Sequence, residues 1–490
     1  MANGCRRRLW SSEESFTPAK AVLLKRFNGK IFYGRDASSA FSDRKSVHKI
    51  ELERRSSGLM REFIRLLRRN RNYRYMWMGQ VVSEIGDHFN NIAVFALAMA
   101  LTHSGLVVTG IMLARAVPAI TIGPLAGVLL DRFDRKQIMI ASDVTRAVVA
   151  LGFILAVTLE KVWLLYLFSA LLMVASPFFT AGRSAILPTI ANKVEIHTAN
   201  SLTQTTQWTT LTVGTFLGAS VIAVGYRWAF VFNALSFVFS AWAIWKLRGP
   251  KGKGFRAERR DLTEAEVVRP WHEYGEGLRY MRSIPLVLAI ALLAVGWATG
   301  GGAAQILFTL FGEVVFNRGA AGIGIIWGCA GLGLLLGGAL ANSLGRRFSF
   351  DGYKLTVFVN FIVHGAAYVL FSRAERFGLA LLFITISRSG MAMNSVLNYS
   401  YLLRTVSDQY RGRVFATMET LTWTMMMISM MCAGMASTHY SPHTIGTVAG
   451  LLSSTTAIFW GWANWTGRLP LPEAAGVDVR DVEVHGDPVV

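Results

Sequence analysis

The feature that most constrains this chain is a series of apolar runs, each about as long as the ~20 residues that a helix needs to cross a bilayer. Of the 490 residues, 52% are hydrophobic and only 16% are charged, whereas soluble proteins carry about 25% charged residues. Backbone N–H and C=O groups find no water inside a bilayer, so such runs fold as helices. We therefore predict an all-α, multi-pass membrane protein.

Twelve runs are long enough to span a bilayer. They lie near residues 77–101, 107–130, 137–158, 163–182, 203–224, 228–246, 285–310, 321–343, 355–372, 377–400, 414–437 and 443–465. A long basic connection separates the first six runs from the last six. This division predicts two six-helix bundles, at 60–246 and 285–466, joined by a linker at 247–284 and followed by a tail at 467–490.

The distribution of basic residues predicts the orientation in the membrane. The chain has a net charge of +20, and ten Lys and Arg residues lie at 246–282, in the predicted linker and directly before it. The predicted external connections carry only Lys161, Arg227, Arg318, Arg373 and Arg376. Because Lys and Arg collect in cytoplasmic loops, we expect both termini in the cytoplasm. Topology accounts for the charge, so no nucleic-acid partner is expected.

Residues 1–59 differ in composition from the rest of the chain. They mix many Arg and Ser residues with several acids and contain no apolar core of the kind that a secretory signal needs. We predict either a disordered extension or an assigned start that lies too early, with Met60 as the true first residue. Met60 opens "MREFIRLLRRNRNYRYMW", a basic amphipathic lead-in to the first predicted span.

The two halves share a short motif at the end of their second span. "GVLLDRFDRK" at 127–136 aligns with "GALANSLGRR" at 338–347, so that Asp131 matches Asn342. Both copies end a predicted span on its cytoplasmic side. Such an internal repeat is typical of transporters built from two halves related about the membrane normal.

The first copy of this motif also carries a family resemblance. "GVLLDRFDRK" closely resembles the loop signature of the major facilitator superfamily, G-x-x-x-D-R-x-G-R-[KR], with Asp134 where many members have glycine. With "SDVTRA" at 142–147 and "RGRVFA" at 411–416, it resembles the branch that contains macrolide-efflux and enterobactin-exporter proteins. The resemblance covers residues 70–466. It implies the major facilitator fold and secondary transport by alternating access, usually export driven by proton antiport.

The same signature supplies a candidate cytoplasmic gate. Gly127 permits close approach of a neighbouring helix, and Asp131 is placed to cap the eleventh helix or to pair with a basic residue. Such a latch would hold the cytoplasmic side closed and break when the cavity opens inward. The basic residues of this candidate gate are Arg132, Arg135, Lys136, Arg411 and Arg413. Alternatively, they only set the topology. Asn342 carries no charge, so the latch is expected to be asymmetric.

Four polar side chains interrupt the first apolar span. Gln80, Glu84, Asp87 and Asn91 fall, at about 100° per residue, on one stripe roughly 60° wide. Lipid cannot satisfy such a stripe, so it should face the bundle interior. Asp87 lies nearest the middle of the bilayer and is our main candidate for a proton carrier, with Glu84 as relay or second site. The alternative is a static ion pair that only fixes helix packing. His88 lies off the stripe's centre and is expected to matter less.

Other charged residues lie at a similar depth in their spans. Arg115, Arg146 and Arg388 are candidate charge partners for Asp87 or contacts for a substrate. Asp143 is one turn from Arg146, a spacing that permits an ion pair within the helix. Arg115 and Arg388 have no acid within their own spans. Each must therefore find one across the bundle or hold an anionic substrate.

Polar side chains on further spans are candidates for a cavity lining. They are Gln204, Gln207, Gln305, Asn394 and Asn398. Seven methionines between Met418 and Met435 face either such a cavity, where flexible thioethers adapt to a ligand, or lipid. A mixture of polar and apolar lining residues suits an amphipathic organic molecule.

Several functions compete for this sequence. No G-x-x-x-x-G-K-[ST] loop is present, so ATP-driven pumping and enzymatic activity are not expected. The spacing of the three cysteines predicts no metal site, and no cofactor is expected. A lipid flippase, an uncoupled facilitator or a non-transporting receptor would need no titratable carboxylate near the bilayer centre. We therefore predict a proton-coupled exporter of a small amphipathic molecule, such as a drug, a macrolide-like compound or a siderophore. Its predicted location is the bacterial inner membrane rather than an organelle envelope.

Overall fold

The computed structural model describes residues 61–249, 254–255, 270–345 and 348–470, all within the unit Met60–Val490. The predicted extension 1–59, about half of the linker and the tail beyond residue 470 lie outside the described residues.

Twelve long helices account for most of the described part of the chain, as the sequence predicts. They are α1 (Arg71–Thr102), α2 (Gly105–Arg132), α3 (Arg135–Leu159), α4 (Val162–Ile190), α5 (Lys193–Gly218), α6 (Tyr226–Trp245), α7 (Pro285–Leu310), α8 (Gly319–Leu344), α9 (Phe350–Arg373), α10 (Phe377–Thr405), α11 (Asp408–Ala436) and α12 (Pro442–Trp465). A π-helical turn, Phe311–Val315, extends α7. The protein is an all-α membrane protein.

The twelve helices are not equally apolar. Eight are both long enough and apolar enough to cross a membrane by length and composition alone. The four below that threshold are α1, α5, α11 and α12. The first three of these line the central cavity described below, so their polar side chains belong to an interior face and not to the lipid-facing surface.

Local residues explain where several helices begin. Asn192 and Glu195 form a capping box at the start of α5. Asp134 caps α3 by accepting hydrogen bonds from two of its first N–H groups. Pro285 and Pro442 lie in the first turns of α7 and α12, where a missing N–H costs no helical hydrogen bond.

The linker contains a helix, Pro270–Ser283, that the sequence analysis does not predict. It packs on the start of α11, where the rings of Tyr280 and Tyr410 stack with centroids 4.5 Å apart. Earlier in the linker, the backbone N–H of Phe255 donates to Asp134 Oδ2 at 2.9 Å. The linker therefore lies at the same end of the bundles as the α2–α3 connection. We call this end the linker end and the opposite end the far end.

The buried apolar side chains form three clusters, and their positions show at which end the two bundles pack together. The largest lies at the far end and joins both bundles, with Ile111 of α2 and Phe308 of α7 among its members. The other two lie at the linker end and stay within one bundle each, around Tyr73 in α1–α6 and around Tyr353 in α7–α12. The bundles are thus packed together at the far end and parted at the linker end.

Glycines show the same difference at atomic detail. A Cβ added to Gly434 of α11 would lie 2.2 Å from Thr109 Oγ1 of α2, so these two helices touch at the far end. A Cβ added to Gly324 of α8 would lie 2.5 Å from the backbone N of Ala219, just after α5. At the linker end of α2, by contrast, a Cβ on Gly127 would meet nothing within 4 Å. Among the described residues, the close contacts between the bundles at these glycines therefore lie at the far end.

Candidate functional site

A cavity of about 810 Å³ lies between the two bundles. Helices α1, α2, α4 and α5 supply one wall, and α7, α8 and α11 supply the other. Its polar and aromatic lining residues include His88, Asn91, Arg115, Gln305, Trp327, Glu419 and Trp423. Drug-sized ligands occupy cavities of about 300–1,000 Å³. The cavity is large enough for an organic molecule of that size.

A second cavity of about 360 Å³ lies within the second bundle. Asn394 and Asn398 of α10 and Trp297 of α7 line it. Glu419 and Trp423 of α11 line both cavities, so the two spaces are neighbours separated by one face of α11.

The predicted cavity residues divide between these spaces and the outside. Gln305 lines the first cavity, and Asn394 and Asn398 line the second. Gln204 and Gln207 line neither cavity, and Gln204 is exposed. The described cavity wall of α5 begins about one turn after Gln207, at Leu211 and Thr215, so a cavity role for Gln204 and Gln207 stays a prediction.

The polar stripe of α1 makes contacts with four neighbouring helices, α2 to α5. Glu84 is its most connected member: Arg183 Nη1 of α4 lies 3.1 Å from Glu84 Oε1, and Thr210 of α5 donates to Oε2 at 2.8 Å. Gln80 donates to Oε1 at 2.9 Å. Asn91 accepts a hydrogen bond from Arg115 of α2. The stripe therefore faces the interior of the first bundle.

Asp87 belongs to a three-residue charge cluster between α1 and α3. Arg146 Nη1 lies 3.8 Å from Asp87 Oδ2, and Arg146 also pairs with Asp143, one turn earlier in α3. The guanidinium lies 4.6 Å and 4.4 Å from the ring centroids of Phe179 and Phe237, which hold it by cation–π contacts. Two carboxylates thus share one arginine.

The two carboxylates of this cluster differ in access to solvent. The side chain of Asp87 is 27% exposed, whereas that of Asp143 is 0% exposed. Proton exchange needs contact with water or with another titratable group. Asp87 therefore meets a requirement for a proton carrier that Asp143 does not meet.

For the other two arginines, the structure bears on the first of the two predicted alternatives, an acid across the bundle. Among the described residues, no carboxylate lies within ion-pair distance of Arg388, whose guanidinium lies 5.1 Å from the ring centroid of Phe308 and 3.5 Å from Met391 Sδ. An aromatic face, and not an acid across the bundle, stabilises this cation. Arg115 has no described carboxylate within that distance either, but it lines the central cavity.

The candidate gate residues are spread over the linker end. Arg135 donates to the carbonyl of Ala185 at 2.8 Å, and Lys136 donates to that of Leu247 at 2.9 Å. Across the opening, Arg411 donates to the carbonyl of Leu403 in the second bundle at 2.9 Å.

Two further gate residues complete this picture. Arg413 pairs with Glu276 of the linker helix at 2.7 Å, and Arg132 is exposed. The side chain of Asp131 and the residues Arg346 and Arg347 lie outside the described residues. Each of these contacts joins a gate residue to its own bundle or to the linker.

The methionines of α11 face both ways. Met426, Met427 and Met430 line the central cavity. Met431 and Met435 are about half exposed and line neither cavity. Both alternatives that the sequence leaves open therefore apply, to different faces of one helix.

Two residues of the site were not predicted from the sequence, and a third was expected to matter less than its position indicates. Arg183 sits one residue past the predicted end of the fourth span, yet it is 9% exposed and pairs with Glu84. Glu419 carries no motif, and only its position on an otherwise uncharged stretch of the eleventh span marks it. His88, which was expected to matter less, lines the central cavity.

Comparison with known proteins identifies relatives of the whole helical part. The sequence profile of the Major Facilitator Superfamily matches residues 76–426. A Bacillus subtilis protein named as a proposed bacilysin exporter is 26% identical over 352 residues, which cover 71% of this chain and 84% of that protein. Macrolide efflux protein A of Streptococcus pyogenes is 23% identical over 362 residues, covering 72% and 85%.

A solved structure shares the fold. The crystal structure of a bacterial homologue of the iron transporter ferroportin, in an inward-facing state, superposes with a TM-score of 0.62 at 14% identity. The match covers 80% of this chain and 98% of that one. At this identity the likeness concerns the fold alone.

Proposed function

Since the chain belongs to the major facilitator superfamily of membrane transporters, we propose that it is a proton-coupled exporter of a small amphipathic organic molecule. Two relatives carry names of exporters, one for bacilysin and one for macrolides. The size of the central cavity and its mixture of tryptophans, methionines and polar groups support an organic substrate.

The orientation is part of this proposal. Ten basic residues lie at 246–282 in the sequence, and the described parts of the linker lie at the linker end, which supports a cytoplasmic position for this end and for both termini. The far end then faces outward, and the parted linker end makes this an inward-open state. The bacterial relatives support the cell membrane as the location.

The observation that carries proton coupling is the arginine shared by Asp87 and Asp143. When Asp87 is ionised, Arg146 serves two carboxylates. When Asp87 takes up a proton, Asp143 still neutralises Arg146, so no unpaired charge is left in the interior. Protonation of Asp87 therefore loosens the contact between α1 and α3 without the large penalty of an isolated buried charge.

Alternating access connects this switch to export. Protons enter from outside when the far end is open, and protonated Asp87 favours the inward-open arrangement. Substrate enters the cavity from the cytoplasm, and loss of the proton to that side restores the Asp87–Arg146 contact. Glu84, 21% exposed and held by Arg183, is the second titratable group along the same stripe.

The test is proton-driven transport by purified protein in proteoliposomes. Radiolabelled erythromycin serves as the macrolide probe, and an imposed pH gradient drives its accumulation. Asp87→Asn should fold and bind the probe but lose accumulation driven by the gradient, while downhill exchange continues. Asp143→Asn removes the carboxylate that neutralises Arg146 once Asp87 is protonated, so it should move gradient-driven accumulation to lower pH without abolishing it.

Two outcomes would contradict the proposal. Proton-driven accumulation that is unchanged in Asp87→Asn, with Glu84 intact or replaced by Gln, would make the charge cluster a static ion pair. Transport that never responds to the pH gradient in the unmodified protein would favour the uncoupled facilitator or flippase.

A further inference from the structure

The two walls of the central cavity carry opposite charges. Among its lining residues, Arg115 of α2 is the one Arg or Lys, and Glu419 of α11 is the one Asp or Glu. Arg115 belongs to the first bundle and Glu419 to the second. The cavity therefore has a positive pole on one bundle and a negative pole on the other.

In the part of the chain that the structure describes, neither charge forms an ion pair. Arg115 donates to the neutral side chain of Asn91, which holds the guanidinium in place and leaves most of its five N–H donors available. Asp87 acts on Arg115 electrostatically, but its own ion pair is with Arg146. Glu419 is exposed and has no hydrogen bond or ion pair with any other residue in the described ranges.

The surface shared by the two poles is apolar. Trp327, Trp423 and Met427 line the same cavity, and tryptophan and methionine present large adaptable surfaces to an organic ligand. A charge that faces such a surface without a partner is poorly solvated when the cavity closes. A ligand that brings the opposite charge to each pole removes this penalty.

We propose that the substrate is a zwitterion of peptide-like size, with its anionic group on Arg115, its cationic group on Glu419 and an apolar body against the tryptophans and methionines. This rests on the proposed function, whose substrate class it narrows. Such a ligand bridges the two bundles, so it binds more tightly to the arrangement in which the linker end closes. A molecule with one charge or none leaves a pole unpaired and binds more weakly for that reason.

The experiment measures binding, not transport, on the full-length protein in lipid nanodiscs. Isothermal titration calorimetry compares four forms of one dipeptide: phenylalanyl-leucine, its N-acetyl derivative, its C-terminal amide and the derivative with both caps. The tripeptide phenylalanyl-alanyl-leucine and its three capped forms repeat the series at greater length. The uncapped peptide of at least one length should bind about tenfold more tightly than either singly capped form.

Charge-neutral variants assign each pole to its residue. In Glu419→Gln, a free amine on the peptide should no longer raise its affinity, whereas a free carboxylate still should. In Arg115→Gln, a free carboxylate should no longer raise the affinity, whereas a free amine still should. Glu419→Asp should restore part of the amine preference. Glu375→Gln removes one negative charge from the exposed α9–α10 connection and should change nothing.

Two outcomes would overturn the inference. Equal affinity for all four forms would show that the poles do not select charge. Absence of binding of either uncapped peptide at about 10 mM, which would saturate a site with a Kd of about 1 mM, would exclude this ligand class. The binding experiment contains no proton gradient, so charge-selective binding can be observed even if transport is not coupled to protons. Proton-driven transport of erythromycin can likewise be observed even if neither peptide binds.

Discussion

The seam between α5 and α8 at the far end makes Gly324 a sensitive test of the inward-open assignment. A Cβ added there would lie 2.5 Å from the backbone N of Ala219 and 2.6 Å from the carbonyl O of Thr215. Ordinary Cβ contacts lie at 3.4–4 Å, and backbone atoms cannot turn aside as a flexible side chain can. In Gly324→Ala, α8 must therefore withdraw from α5 by about 1 Å.

The size of the effect follows from this overlap. Overpacking by a single methyl group costs about 1–3 kcal/mol, and the cost applies only while the far end is closed. An energy of that size changes the ratio of two conformations by about 5-fold to 150-fold. Gly324→Ala should therefore shift the protein away from the state described here and towards one with the far end open.

Distances between spin labels measure this shift. On a background without Cys5, Cys329 and Cys432, one label at Lys161→Cys and another at Arg376→Cys report on exposed far-end connections of the two bundles. Pulsed dipolar spectroscopy should show a longer-distance population that grows in the Gly324→Ala protein.

The matched control is Gly123→Ala on α2, where an added Cβ would meet nothing within 4 Å. It should leave the distance distribution unchanged. If Gly324→Ala folds and keeps the original distribution, or if Gly123→Ala shifts it equally, the seam does not hold the far end closed and the reasoning is wrong.

Four further predictions concern the gate, the ends of the chain and the linker. Asp131→Asn should fold and bind substrate but slow the initial transport rate in proteoliposomes; a wild-type rate would mean that the motif only sets topology. A chain that starts at Met60 should insert and transport like the full chain, and loss of folding or targeting would show that 1–59 is a domain or an address. Asp134→Ala removes the cap of α3 and the contact with the N–H of Phe255, so thermal unfolding should show a free energy of unfolding lower by about 1 kcal/mol or more, and Asp134→Asn should lose much less. Equal melting temperatures for both variants and the unmodified protein would show that this cap does not stabilise the fold. Single cysteines at Asp131 and Arg347 should resist an impermeant reagent added outside intact cells, and ready labelling would reverse the topology.

The parts of the site that the sequence predicts correctly are those set by local periodicity. The position of Asp143 one turn before Arg146 predicts their ion pair, because residues three apart on a helix are neighbours whatever surrounds them. The stripe Gln80, Glu84, Asp87 and Asn91 predicts an inward face for the same reason. Neither inference depends on knowing which helix lies opposite.

The parts that it misses depend on neighbours distant in the chain. Glu84 pairs with Arg183, nearly a hundred residues later, and nothing local distinguishes that arginine from the basic residues of a loop. Arg388 was expected to find an acid across the bundle or to hold an anionic substrate, and in the structure its guanidinium lies against the ring of Phe308. The choice between an acid and an aromatic partner is made by helix packing, which a pattern within one helix does not contain.

The sequence by itself determined the twelve spans, the two bundles and the polar interior face of α1. These follow from the thickness of the bilayer and from the cost of placing polar groups in lipid, which act on each segment separately. Only the tertiary structure decided which charges share Arg146, which end of the bundles is open, and that Arg115 and Glu419 line one cavity with no ion pair to another described residue. Those features are contacts between helices from different parts of the chain, and their free energies depend on positions that only the assembled bundles define.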